Sequence, residues 1–231
     1  MSLASIAVFS GMTNEELQQL GHGSVILEPR DGTAIFIQGD PADALYAVIG
    51  GDGHVRIGAI DRNGKALMVE VFGVGEILGE IGLIDGGFRT ATATVEGRVQ
   101  LVKIQRAAFL TAFDSCSTLS AALCRMMAQR WRRTYELFQD ATFETLEVRL
   151  ARQILYLTAS QSRPTQQGLR LTQRLRQADL ADLLGATTRS IITILNTWRA
   201  ADLVTYDTDR ALLTVRDVAA MRAVVETNHR R

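Results

Sequence analysis

The sequence predicts an α+β chain in three parts: an N-terminal antiparallel β jelly roll, a long helix, and a helical C-terminal third with a two-stranded wing. Three observations carry this. Seventeen of the 19 glycines lie between Gly11 and Gly97, and glycine supplies tight turns while weakening helices. Cys124, Met127, Trp131, Thr134, Phe138, Ala141, Thr145 and Val148 are spaced alternately by three and four, the period of a helix packing along a partner. Residues 177–196 carry the small residues and turn glycine of two helices meeting at a sharp corner.

Taken in order, Thr13 caps a short helix over Asn14–Leu20. Short apolar stretches follow at Val25–Leu27, Ala34–Ile37, Leu45–Ile49, Val55–Ile60, Leu67–Phe72, Thr92–Val95 and Val99–Ile104. Asp31-Gly32, Gly39-Asp40, Asp61-Arg62-Asn63-Gly64, Gly73-Val74-Gly75 and Asp85-Gly86-Gly87 punctuate them, a spacing that suggests a small antiparallel barrel or jelly roll. A helix is expected from Ser117 to about Gln139, then a hinge near Gln139–Phe143, another helix over Glu144–Ala159, and a plain loop over Ser160–Gly168. The expected domains are 1–116, 117–142 and 143–231. The long helix reads as a dimer seam; the alternative is a helix lying on its own domain's core.

Composition narrows the class. With 47% hydrophobic and 22% charged residues in 231, disorder is excluded. No run of 18 apolar residues suggests a membrane span, and Met1–Phe9 lacks the basic flank of a secretory signal. Cys116 and Cys124 cannot build a disulfide framework, which suits the cytoplasm. His22, His54 and His229 are too scattered for a metal or haem site, which also argues against a metal-dependent enzyme in the barrel. Residues 1–140 hold 12 basic and 16 acidic residues, and residues 141–231 hold 13 and 9. A basic C-terminal third fits a polyanion there.

That third contains a helix-turn-helix pattern. With Gln177 as its first position, Ala181 is fifth, Gly185 ninth, Ile191 fifteenth and Ile194 eighteenth. Ala181 lets the second helix cross closely, Gly185 permits the turn, and Leu180, Leu184, Ile191 and Ile194 fill the angle. Thr187 caps a second helix over about Thr188–Ala200, which would offer Thr188, Arg189, Ser190 and Thr193 to a major groove of double-stranded DNA. Leu203–Tyr206 and Leu212–Val215, joined by Asp207–Arg210, read as a wing, and Asp217–Glu226 as a closing helix. Together these make a winged helix-turn-helix. Arg174, Arg176, Arg189 and Arg199 are candidate phosphate or base contacts. The alternative is a helical hairpin that binds nothing.

A second cluster lies at 79–91. Glu80 stands between Gly79 and the apolar Ile81–Ile84, and Arg89, nine residues on, is followed by Thr90 and Ala91. Ile81–Ile84 could start a helix whose N–H groups face an anion. Arg89 would add a planar two-pronged donor, Thr90 a hydroxyl, and Glu80 an acceptor for a sugar hydroxyl. Alternatively, Glu80 and Arg89 simply form an ion pair.

Gly79-Glu80-Ile81-Gly82-Leu83 with Arg89-Thr90-Ala91 resembles the phosphate-binding cassette of cyclic nucleotide-binding domains. With the downstream helix and helix-turn-helix, nearly the whole chain resembles the Crp/Fnr family of bacterial transcription regulators. The resemblance implies that Glu80 binds the ribose 2′-hydroxyl and that Arg89 and Thr90 bind the cyclic phosphate. It also places Thr134 and Tyr135 beside the purine. It implies a cyclic nucleotide effector, cyclic AMP ahead of cyclic GMP, and a homodimer through the 117–142 helix. RNA polymerase would be a partner if the output is activation. The family's iron–sulfur members carry an N-terminal cysteine cluster and its haem members a histidine ligand; neither pattern is present. The chain departs from the family pattern in Tyr135, bulkier than the usual serine, and in about two extra residues within Ile49-Gly50-Gly51-Asp52-Gly53-His54. Thr188, Arg189 and Thr193 stand where the founding member reads its operator with Arg, Glu and Arg, so a different operator is expected. The alternative within the family is a regulator that ignores cyclic nucleotides and is constitutive or senses another small ligand.

Overall fold

The computed structural model describes residues 3–60 and 66–228. The turn expected at Asp61-Arg62-Asn63-Gly64 and the histidine at position 229 lie outside the described residues. The chain forms two compact units, divided between Arg132 and Arg133 with a short exchange near residue 65.

The first unit is a two-sheet β roll with helices on one side. Strands β1 (Val25–Leu27), β8 (Val99–Gln105), β3 (Ala44–Gly51) and β6 (Ile77–Leu78) form one sheet in that order. Strands β2 (Ala34–Phe36), β7 (Thr92–Glu96), β4 (His54–Ile60) and β5 (Ala66–Phe72) form the other. β3 explains the arrangement. Its Ala44, Tyr46 and Val48 turn toward the second sheet and pack with Phe36, Phe72, Leu78, Ala93 and Leu101. Its Leu45, Ala47 and Ile49 turn the other way and pack with Phe9, Leu20, Phe109, Leu119 and Leu123. A strand dry on both faces reads as an unbroken apolar run, and Ala44-Leu45-Tyr46-Ala47-Val48-Ile49 is one.

The helices that cover this sheet are α1 (Asn14–Gly21), α3 (Arg106–Ser115) and the first half of α4 (Ser117–Phe143). Thr13 caps α1 reciprocally with Glu16, as a capping box. α3, β6 and the two 3₁₀ turns at Leu3–Ser5 and Ala7–Phe9 were not expected from the sequence. Short segments such as Ile77–Leu78 carry too few residues to show a period.

The start of α4 packs on its own unit, and its later stretch leaves large side chains exposed. Cys116, Leu119 and Leu123 are buried in the unit's core. Trp131 is 74% exposed, and Tyr135, Phe138 and Phe143 are also exposed. The expected break at 139–143 is corrected: α4 runs unbroken to Phe143, and Thr145 caps α5 (Leu146–Ser160) by accepting from the Val148 N–H. The three-four seam therefore ends at Ala141, because Val148 is buried on α5.

In the second unit, β11 (Val204–Asp207), β12 (Leu212–Val215), β10 (Gly168–Leu171) and β9 (Ser162–Thr165) form one sheet in that order. The wing is present, but 160–168 is not a plain loop: it forms an edge hairpin in which Leu169 pairs with Pro164. Ser162-Arg163-Pro164-Thr165 shows no strand signal because its partner, not its composition, sets its conformation. α6 (Gln177–Leu184) ends at Gly185, whose φ of 60° is left-handed, and α7 (Thr188–Ala200) follows with Thr187 accepting from the Ser190 N–H. Ala181, Leu180, Leu184 and Ile191 are buried in the corner as expected. Ile194 is only partly covered, and Leu195 and Trp198 are the other buried side chains of α7. The Trp198 indole N–H donates to Glu147 Oε1 at 2.9 Å. α8 (Val218–Asn228) closes the unit against α5. Trp198→Ala removes both the volume and this bond and should lower stability by about 3–5 kcal/mol in denaturant unfolding.

Candidate functional site

The cassette begins where β6 leaves the sheet. Leu78 pairs with Tyr46, and the next residue, Gly79, turns the chain with φ of 86°. A Cβ on Gly79 would also meet Arg89 Nη1 at 2.5 Å. Glu80 starts α2 (Ile81–Ile84), its carbonyl accepting from the Leu83 and Ile84 N–H groups. Gly82 lets this turn pack onto the following loop, since a Cβ there would meet Phe88 O at 2.8 Å and Ala42 Cβ at 2.9 Å. The loop returns to Arg89, whose N–H donates to Asp40 O and whose carbonyl accepts from Gly39 N–H.

The two central side chains are both inside: Arg89 is 3% exposed and Glu80 4%. They are neighbours but not an ion pair. Arg89 Nη1 donates to the Gly79 carbonyl at 2.8 Å, and its Nη2 donates to Ala44 O at 2.7 Å and Asp43 Oδ1 at 3.1 Å. The guanidinium lies 4.3 Å above the Phe36 ring. Its Nε is buried without a partner, a costly state for a charged donor. Glu80 Oε1 accepts instead from Arg130 Nη1 at 2.7 Å, while Arg130 Nη2 donates to Ile77 O at 2.8 Å and the group lies 4.6 Å from the Phe72 ring.

Three participants escaped the sequence reading. Arg130 lies one helical turn before Thr134, so i,i+4 spacing on α4 could have pointed to it. Asp43 is shared between Arg89 and Lys103, whose Nζ donates to Asp43 Oδ2 at 2.9 Å. Burial pushes the Asp43 carboxyl upward, but the Lys103 bond and charge, with Arg89, hold it below the ordinary value. No sequence spacing links residues 43, 89 and 103; the β3–β8 register brings the start of β3 beside Lys103, and the loop after α2 brings Arg89. The other predicted residues are placed as follows. Ile81 and Thr90 are exposed at the cassette. Thr134 and Tyr135 are exposed on the part of α4 that belongs to the second unit.

Glu76 also lies in this neighbourhood. Burial pushes its carboxyl up to about 7, opposed by the Gly73 N–H bond, reinforced by Glu70 and opposed by Arg130. Its folded value exceeds the ordinary 4.5. Below that ordinary value both states hold the proton. As pH rises toward the folded value, the unfolded chain releases it first, so stability is lost at up to about 1.4 kcal/mol per pH unit. The loss is complete once pH passes about 7. Glu76→Gln should remove this slope, gaining on the wild type as pH rises from acid to neutral in urea titrations.

The second candidate surface is α7. Thr188, Arg189, Ile192, Thr193, Asn196 and Arg199 are exposed along it. The Ser190 hydroxyl is bonded to Thr187 Oγ1 at 2.8 Å, and Thr193 Oγ1 donates back to Arg189 O at 3.0 Å. Gln177 is half-buried at the start of α6. Arg174 is exposed. Arg176 is exposed and binds Asp179 through Nε and Nη2, the latter at 2.7 Å.

Among the described residues, no three His, Cys, Asp or Glu side chains cluster to hold a metal ion, and no single helix is long and apolar enough to cross a membrane. Residues 27–116 match the cyclic nucleotide-binding domain family, and residues 148–224 the Crp-like helix-turn-helix domain family. The chain is 32% identical over 194 residues to a CRP-like cAMP-activated global transcriptional regulator of Mycobacterium tuberculosis, covering 82% of this chain and 84% of that one. It is 28% identical over 190 residues to the cyclic AMP receptor protein of Thermus thermophilus, with 82% and 83% covered. Among solved structures it shares the fold of the c-di-GMP responsive global regulator CLP of Xanthomonas campestris, at TM-score 0.68, 23% identity, and 89% and 100% coverage.

Proposed function

The chain belongs to the Crp/Fnr family of transcription regulators, with a cyclic nucleotide-binding domain ahead of a Crp-like helix-turn-helix, and on that premise we propose that its affinity for DNA is set by a cyclic nucleotide held at the 79–90 cassette. Cyclic AMP is the favoured effector, supported by the names of the relatives from Mycobacterium tuberculosis and Thermus thermophilus. The observation that carries the reading is the buried Arg89 guanidinium, held against the Gly79 carbonyl beside Glu80 with its Nε unsatisfied. Arg89, Lys103 and Arg130 surround Asp43 and Glu80.

In this proposal Arg89 and Thr90 hold the phosphate, Glu80 the ribose 2′-hydroxyl, Gly79 and Ile81 the cassette backbone, and Thr134 and Tyr135 the base. Residues 1–116 are the sensor, 117–142 the dimer helix and 143–231 the DNA reader. The exposed Trp131 and Phe138 on α4 support a homodimer, because aromatic side chains left in water gain by being covered. A nucleotide that favours the DNA-competent state by about 1–3 kcal/mol would change operator affinity roughly 5- to 150-fold.

A second reading keeps the reader and changes the guest. Asp43, Ala44 and Gly79 already satisfy much of Arg89, and a neighbour in fold is described as c-di-GMP responsive. Calorimetry with cyclic AMP, cyclic GMP and c-di-GMP separates the two. Binding of cyclic AMP that Arg89→Ala abolishes, with the variant still a folded dimer, supports the first reading; unchanged affinity in that variant removes the cassette. On the DNA side, Arg189→Ala should lose about 1–3 kcal/mol of discrimination between the best operator and one altered at its guanine, measured by competition binding.

A further inference from the structure

Two of the four polar side chains expected to read bases on α7 are engaged locally. The Ser190 hydroxyl is engaged by Thr187 at 2.8 Å, and the Thr193 hydroxyl donates to the Arg189 carbonyl at 3.0 Å. The Thr197 hydroxyl likewise donates to Thr193 O at 3.2 Å. Between them, on the same outer face, stands Ile192, 36% exposed where its neighbour Ile191 is fully buried. A β-branched aliphatic side chain gains nothing in helix propensity at an exposed mid-helix position. A lone exposed aliphatic is ordinary on a protein surface; this one lies one turn from Arg189 on the face that Thr188, Arg189 and Thr193 also share.

Resting on the reading of α7 as the DNA-reading helix, we infer that Ile192 reads thymine through its C5-methyl group, in register with a guanine read by Arg189. Thymine is the base that presents a methyl group in the major groove, and apolar side chains recognise it by contact, whereas arginine recognises guanine O6 and N7 as a pair. The spacing is compatible. Three residues of helix advance about 4.5 Å, against about 3.4 Å per base step, so the two bases lie within about two steps of each other. The operator half-site should therefore combine a guanine with a nearby thymine. Its thymine preference comes from a hydrophobic contact, with no hydroxyl hydrogen bond needed.

The test uses the full-length chain with cyclic AMP, with cyclic GMP and without either. Randomised duplex is selected on it, and the selected site is then rebuilt with deoxyuridine at each thymine in turn, which removes only the methyl. Wild-type protein should lose about 3- to 10-fold in affinity at one such position, the worth of burying a methyl-sized apolar group. Ile192→Ala should bind the thymine and deoxyuridine sites alike there, while keeping its preference for the guanine. A selected site whose deoxyuridine forms all bind the wild type equally overturns the inference. So does a methyl effect that persists unchanged in Ile192→Ala, since it then belongs to another residue. Failure to enrich any sequence under all three conditions overturns the DNA-reading assignment itself, and is told apart because the guanine preference disappears with it.

Discussion

The first unit depends on one constraint: β3 must be dry on both faces. Because Tyr46 and Val48 serve one core and Leu45 and Ala47 the other, the strand cannot slip by one residue without exchanging its two faces. That fixed register does more than hold two layers together. It places Asp43 and the Ala44 carbonyl, at the strand's entrance, where Arg89 reaches them. It also fixes the Tyr46–Leu78 pairing that delivers Gly79 and Glu80. The charged site is thus assembled by apolar packing: the hydrophobic effect selects the register, and the register selects which charges meet.

Burial then decides how those charges pair. Two buried groups of opposite sign only nine residues apart would be expected to neutralise each other, yet each has its own counter-charge. Arg89 takes Asp43, and Glu80 takes Arg130. A direct pair would have closed the cassette on itself. Divided pairing keeps both groups hydrogen-bonded while leaving a guanidinium edge unsatisfied, an arrangement that suits the anion binding we propose.

The fold was largely readable in the sequence because its signals are local. Glycine density marked the turns, the apolar runs marked the longer strands, and Gly185 with Thr187 marked the corner between α6 and α7. What escaped has a physical reason in each case. β6 is two residues long, β9 contains a proline and borrows its conformation from β10, and Trp198 is buried where Glu147, far away in sequence, accepts its indole N–H. For the cassette, Glu80 and Arg89 were visible as a pattern, but Asp43, Lys103 and Arg130 were not. They arrive from strands and a helix far along the chain, and only tertiary register brings them together.

The glycine at position 79 carries an evolutionary consequence. Its left-handed backbone and the guanidinium lying against it leave no comfortable place for any side chain, yet the residue lies outside both hydrophobic cores. One nucleotide change in its codon would press first on the Arg89 guanidinium and only lightly on Phe36 at the edge of the core. If the cassette is the sensor we propose, a lineage in which the signal lost its value grows deaf in a single step, with the corner between α6 and α7 untouched.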